Sequence, residues 1–413
     1  MYTIRWIKDK GGKILRFLIN FNIKCMIKIL TRIFIKNSED VNDPKVRTLY
    51  GIVCGVLGIT LNIFLFIVKF IAGSVSGSIA ITADAVNNLS DAGSSIVTLI
   101  GFKMADKKPD TEHPFGHGRI EYISGFIVSM AIILMGFELF KSSFSKLFDK
   151  EPLDGSPIII AILIISIIAK LYMSYYNKVI SKKINSSAMS ATSLDSFTDS
   201  IATFVVLISI IVYKITGYNF DSISGILVSA FILYSGYSAA KDTINPLLGN
   251  IPNKELLDSI RKIVLAHKEI CGMHDLIVHD YGPGRRIISL HAEIPGSSDI
   301  YEIHDCIDRI EVELSKKLNC EAVIHMDPLD INNKEVMNMK MKVNDLVKEY
   351  NNELSIHDFR MVNGNTHTNL IFDVVVPFDI NKSDEEIKSI ISKSIKEKWP
   401  NYNAVIKVDK PFV

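Results

Sequence analysis

The sequence predicts an α-helical membrane protein, with six transmembrane helices followed by α+β domains on the cytoplasmic side. Three observations predict it. Mean hydropathy is positive, +0.25, although 22% of the 413 residues are charged, so apolar and polar stretches are segregated. Six apolar stretches long enough to span a bilayer lie between Leu49 and Ala240. Beyond Asn250 the pattern becomes that of an α+β chain, and it runs through twice.

Composition removes several classes. Disorder needs few apolar residues and a large net charge, whereas this chain is 48% hydrophobic with net charge +1. Balanced charge also argues against a nucleic-acid partner. The five cysteines, Cys25, Cys54, Cys271, Cys306 and Cys320, form no CxxC pair. They fit a reducing compartment and offer no thiolate metal site.

Residues 1–47 are basic and amphipathic: Lys8, Lys10, Lys13, Arg16, Lys24 and Lys28 alternate with Trp6, Ile14, Phe17, Phe21 and Ile29. Two readings stay open, a helix lying on an anionic inner leaflet or a mobile basic tail. The six spans follow at 49–72, 79–102, 118–140, 156–178, 187–213 and 222–240, within a membrane domain of residues 48–245. The links after spans two and four are rich in Lys and Arg (Lys103, Lys107, Lys108, Arg119; Lys178, Lys182, Lys183). With the basic N-terminus they put both termini in the cytoplasm of a multi-pass cell-membrane protein.

The soluble part begins with helical spacing over 253–269, alternating runs at 274–281 and 286–294, a helix at 301–318 and a strand at 321–326. An α-β-β-α-β unit of this kind at 250–330 is ferredoxin-like. Residues 331–413 repeat it: HDL at 274 is echoed by HDF at 357, HAEIPGS by DVVVPFD, and AVIHMD by AVIKVD.

Charges inside the spans carry the chemistry, because each costs about 2.5–3.5 kcal/mol on insertion scales. Span two holds Asp84, Asn87 and Asp91; span five holds Asp195 and Asp199. Asn87/Asp91 and Asp195/Asp199 are two i, i+4 pairs, each on one helix face. Facing each other, they gather oxygen ligands near mid-membrane, and three adjacent carboxylates call for a cation or for protons. All-oxygen sets of this type suit Mn²⁺, Mg²⁺ or Ca²⁺ better than Zn²⁺. Asp84 shares the face about 10 Å along the helix and is expected beside the pathway or in helix packing.

GSVSGSIAITADAVNNLSD, the loop HPFGHGRIE, the DxxxD of span five and a tail ending in HMDP resemble the cation diffusion facilitator family over residues 45–330. The resemblance implies a homodimeric, proton-coupled exporter of divalent metal, not an enzyme, with Asn87, Asp91, Asp195 and Asp199 as its transport site. NxxxD with DxxxD is similar to the bacterial manganese exporters, so Mn²⁺ is the expected cargo and protons the counter-ion, with no resident cofactor. Zn²⁺, Fe²⁺, Co²⁺ and Cd²⁺ are the alternatives.

The resemblance further implies two other sites. Asp110, His113 and His117 match a loop site, for which a structural role is an equal alternative. His274, His291, His325 and Asp327 match a cytoplasmic zinc cluster, with His304 as an added ligand. In the second unit Lys407 stands where a ligand is expected beside His357, Asp373 and Asp409, so that copy is expected to be metal-free and used for packing. Arg119 is present, but Gly249 stands where relatives carry its acidic partner at the end of span six. Two readings from other classes are weaker. An intramembrane aspartyl protease expects a GxGD motif on a span, which this chain lacks; a metal-gated regulator does not need paired ligands inside the membrane.

Overall fold

The computed structural model describes residues 35, 39–40, 43–76, 79–148, 156–218, 220–330, 333–364 and 366–411. Most of the basic segment 1–47, and the side chain of Asp84, lie outside the described residues.

Long apolar sequence becomes helix because only intrahelical hydrogen bonds satisfy the backbone away from water. Among the described residues this gives six long helices of the apolar unit: α1 (Pro44–Ser76), α2 (Ile79–Ala105), α3 (Ile120–Ser145), α4 (Pro157–Ile184), α5 (Ser187–Thr216) and α6 (Asp221–Leu248). Five of these, among the described residues, are long and apolar enough to cross a membrane. The exception is α2, whose ADAVNNLSDAGSS stretch lowers its hydropathy. Local sequence marks the ends. Ser156 and Ser186 cap α4 and α5 by accepting the Ile159 and Met189 N–H groups, and Gly217 closes α5 at φ +71°. Apolar side chains such as Leu134, Phe137 and Leu227 stay exposed on the helix flanks, as a lipid-facing surface requires.

Small and polar residues draw the helices together. Gly51, Gly55 and Gly58 of α1 face Phe102, Leu99 and Ser95 of α2. The Thr98 and Thr192 hydroxyls meet at 2.8 Å between α2 and α5. Ser193 of α5 donates to the Ser174 carbonyl of α4 at 2.8 Å. Arg47 of α1 forms a two-pronged pair with the fully buried Glu121 of α3, its Nη2 donating to Oε1 at 2.7 Å.

The second compact unit holds two copies of one topology. The first is α7 (Lys254–Val264), β1 (Gly272–Asp280), β2 (Arg286–Pro295), α8 (Ile300–Leu318) and β3 (Glu321–Leu329). The second is α9 (Lys334–Tyr350), β4 (Ser355–Asn363), β5 (Thr368–Val375), α10 (Asp384–Lys398) and β6 (Tyr402–Asp409). In each sheet the middle strand pairs antiparallel with the first and parallel with the third. Helix α7 is shorter than the 253–269 run, because the chain turns after Val264, and β3 extends three residues past 326.

Strand alternation decides which face is wet. Ile288, Leu290, Ala292 and Ile294 of β2 point into the first core, and Leu370, Phe372 and Val374 of β5 into the second. The intervening residues, His291 and Asp373 among them, fall on the opposite face. The first strand of each sheet carries a bulge at the same place, between His274 and Ile277 and between His357 and Arg360. Within them Asp275 and Asp358 adopt left-handed backbone, φ +49° and +54°, which Asp tolerates better than most residues.

A Cβ on Gly125 of α3 would lie 2.9 Å from the Ala188 Cα and 2.9 Å from the Thr243 methyl group. Gly125→Val should therefore destabilise the helical unit by about 1–3 kcal/mol, seen as earlier thermal unfolding of the purified protein. Gly93→Ala, where nothing lies within 4 Å, should be nearly silent. Equal melting of the two variants would contradict the close packing of α3 on α5 and α6.

Candidate metal-binding sites

Helices α2, α4 and α5 bring charge together inside the apolar unit. Asp91 and Asp195 are buried, and Asp199 nearly so. Between them lies Lys170 of α4, itself buried, whose Nζ donates to Asp91 Oδ2 at 2.5 Å and to Asp199 Oδ2 at 2.7 Å. The i, i+4 spacing explains why Asp195 and Asp199 share a face of α5. Of the α2 pair only Asp91 turns inward; Asn87 is exposed, and its neighbour Asn88 is buried instead.

Lys170 escaped the sequence reading, which weighed charges only where they came in spaced pairs. The signal was there: it is the lone charge within the apolar run 157–176. In the fold it does two things. It supplies a counter-charge without which the acids would repel one another. It also occupies a cation's position between Asp91 and Asp199. Lys69 of α1 is a second buried ammonium, and its charge also acts on Asp91.

At the surface, Asp110 lies 3.4 Å from His113 Nδ1 and 3.5 Å from His117 Nε2, and the two rings are 4.6 Å apart. This trio is within ligating reach of a common point. Asp110 is also anchored structurally. The hydrogen bond from Lys107, followed by that from the His113 N–H, holds its carboxyl well below the usual carboxylate range. The Nδ1 of buried His117 has no hydrogen-bond partner among the described residues.

On the wet face of the first sheet, register lines up His274, His291 and His325 directly across β1, β2 and β3. Asp327 Oδ2 lies 3.1 Å from His274 Nε2 and 2.8 Å from His291 Nδ1, and its Oδ1 lies 3.3 Å from His325 Nε2. His304 stands apart from this row, on an exposed face of α8, 3.4 Å from Asp308. The same register in the second sheet aligns His357, Asp373 and Lys407. Lys407 Nζ is 3.2 Å from Asp373 and 3.1 Å from Asp409, so an ammonium already fills that mirror position.

Comparison with known proteins places these features in a family context. The model of the cation efflux transmembrane domain matches residues 55–248, and that of the cation efflux protein cytoplasmic domain matches residues 252–329. An uncharacterized transporter of Methanocaldococcus jannaschii is 32% identical over 276 residues, 67% of this chain and 97% of the relative. Protein p34 of Rickettsia prowazekii is 29% identical over 282 residues, 67% of this chain and 91% of the relative. The cation-efflux pump FieF of Salmonella paratyphi A is 25% identical over 272 residues, 65% of this chain and 89% of the relative.

Removing the ammonium should expose the electrostatic debt of the buried acids. Lys170→Met is expected to destabilise the helical unit by about 3–5 kcal/mol, measured by thermal unfolding in detergent without added metal. Adding Asp199→Asn in the same chain should restore part of that loss. A double variant no more stable than Lys170→Met would show that the two side chains are not energetically coupled.

Proposed function

The chain belongs to the cation efflux family of membrane transporters, the cation diffusion facilitators, and from that premise we propose that it exports Mn²⁺ from the cytoplasm in exchange for protons. The observation that carries this reading is the buried cluster of Asp91, Asp195 and Asp199, an all-oxygen set that suits a hard dication. Asn87 is exposed and stands outside this cluster, so the reading rests on the three carboxylates.

In the cycle we propose, Mn²⁺ enters from the cytoplasm and takes the place of the Lys170 ammonium between Asp91 and Asp199. The helices then rock so that the same cluster faces outward. Protons from outside neutralise the carboxylates, which expels the ion. With Lys170 swung aside but still near, its positive charge favours release and returns to the acids once the metal has gone. The empty transporter thus never leaves its carboxylates without a cation, which lowers the cost of the return step.

The Lys/Arg distribution supports cytoplasmic termini, and the family resemblance supports a homodimer as the working unit. The histidine row His274–His291–His325 with Asp327 serves in this reading as a cytoplasmic metal site of borderline type, distinct from the transport site. For the loop trio, the anchoring of Asp110 by Lys107 favours a structural role at the membrane surface.

Mn²⁺ uptake into inverted vesicles with an acidic interior tests the reading. Asp91→Ala and Asp199→Ala should each cut uptake by roughly tenfold or more, since a loss of about 1.4 kcal/mol in ligand binding already gives that factor. Collapsing the pH gradient should stop uptake in the parent protein. Asp195→His should lower the Mn²⁺/Zn²⁺ ratio by putting a softer donor in the set. Full Mn²⁺ transport by both well-expressed alanine variants would overturn the site. An unchanged ion ratio in Asp195→His would place selectivity elsewhere in the helices.

A further inference from the structure

The second repeat has lost the histidine row of the first, yet it keeps the His-Asp dipeptide in the bulge of its leading strand. The bulges bring these dipeptides face to face. Asp358 Oδ1 of the second repeat lies 3.3 Å from His274 Nε2 of the first. In the reciprocal contact, His357 Nε2 lies 3.7 Å from Asp275 Oδ1, and the His274 and His357 rings are 4.6 Å apart. The left-handed backbone at Asp275 and Asp358 is what turns each carboxylate toward the other repeat.

The ring nitrogens of His274 and His357 are buried and face carboxylates: His274 Nε2 lies 3.1 Å from Asp327 Oδ2 as well as 3.3 Å from Asp358 Oδ1. Imidazoles and carboxylates gathered in this way are the donor types a divalent cation takes. Ligand atoms from His274, His291, Asp327 and Asp358 all lie within 4.8 Å of one another. Three of the edges of this set measure 3.1, 2.8 and 3.3 Å. A tetrahedral Zn²⁺ with bonds near 2.0–2.1 Å has ligand edges of roughly 3.4 Å. Two imidazoles and two carboxylates also balance a dication's charge.

We propose that the two repeats of one chain hold a single Zn²⁺-type ion between them, ligated by His274, His291 and Asp327 of the first repeat and by Asp358 of the second. The ion fastens the repeats together. This rests on the reading of the first-repeat histidines as metal ligands and adds to it a ligand from the second repeat, which turns a one-domain site into a junction. The pseudo-symmetric position explains why one ion suffices. On that side, His357 faces Asp373 and Asp409, and the Lys407 ammonium already pairs with both carboxylates. A second dication there would meet a like charge. The second repeat is therefore more than packing surface: it lends one carboxylate and keeps its own pair closed.

The test uses the full chain, purified in detergent, with Asp91→Asn, Lys170→Met and Asp199→Asn in place, which removes these membrane carboxylates from the binding signal without leaving a buried ammonium unpaired. Zn²⁺ alone is titrated by calorimetry, and hydrogen exchange is followed with and without it. The expected result is one tight Zn²⁺ that slows exchange in both β1 and β4. Asp358→Asn keeps a side chain that accepts left-handed backbone. It should weaken Zn²⁺ binding by about tenfold or more and abolish the Zn²⁺-dependent protection of β4. Unchanged affinity in Asp358→Asn, or protection confined to the first repeat, would overturn the shared site. If His291→Ala binds Zn²⁺ as tightly as its parent, the metal reading of the histidine row fails instead. Neither readout depends on transport, so it stands or falls apart from the efflux assay.

Discussion

Three carboxylates and the Lys170 ammonium that bridges two of them, buried in the same helical bundle, set the terms for the rest of this molecule. Ionised groups inside a membrane protein persist only where partners offset their desolvation. Here the partner is built in. Lys170 bridges Asp91 and Asp199, tying α4 to α2 and α5 at the level of the acids. The surrounding packing answers to that demand. Glycines let α1 lie close on α2, a hydroxyl pair binds α2 to α5, the Ser193 hydroxyl binds α5 to a carbonyl of α4, and the Arg47–Glu121 pair holds α1 on α3. Each brings polar groups together without exposing them to lipid.

A tethered ammonium also gives the bundle a way to be stable when empty. A cluster of acids alone would need protons or metal at all times to remain folded. In the cycle proposed above, the incoming dication exchanges with Lys170, a cation that never leaves the protein. Affinity then reflects the difference between two charged states, not the full attraction of the acids. Similar logic recurs in the cytoplasmic part, where Lys407 closes the mirror position of the second repeat and leaves the His274 side open. In both places a lysine on the chain sits against two carboxylates.

Much of this was legible in the residues, and for physical reasons. The membrane helices were readable because bilayer thickness fixes their length and apolarity, and α2 was read as a span from its apolar stretch at 79–102 despite its acids. Duplication in the tail was readable because both repeats kept the same wording at bulge and strand. What periodicity cannot show is which way a polar residue turns when its neighbour is polar too. Asn87 and Asn88 both sit four or three residues before Asp91, and the bundle buries Asn88. His304 shares a ligand's residue type, but α8 turns it to solvent beside Asp308. Lys170 was missed because an isolated charge in an apolar run gives no spacing to match. The approach of Asp358 to His274 depends on a bulge in each strand, and a bulge has no reliable mark in sequence.

The measurement that bears most directly on the central cluster is an anomalous-scattering map of crystals grown with Mn²⁺ and recorded at the manganese edge. The ion should appear between α2 and α5, within ligand distance of Asp91, Asp195 and Asp199, with the Lys170 side chain moved off the line between Asp91 and Asp199. Manganese found only outside the helical unit, with Lys170 still bridging the two acids, would contradict it.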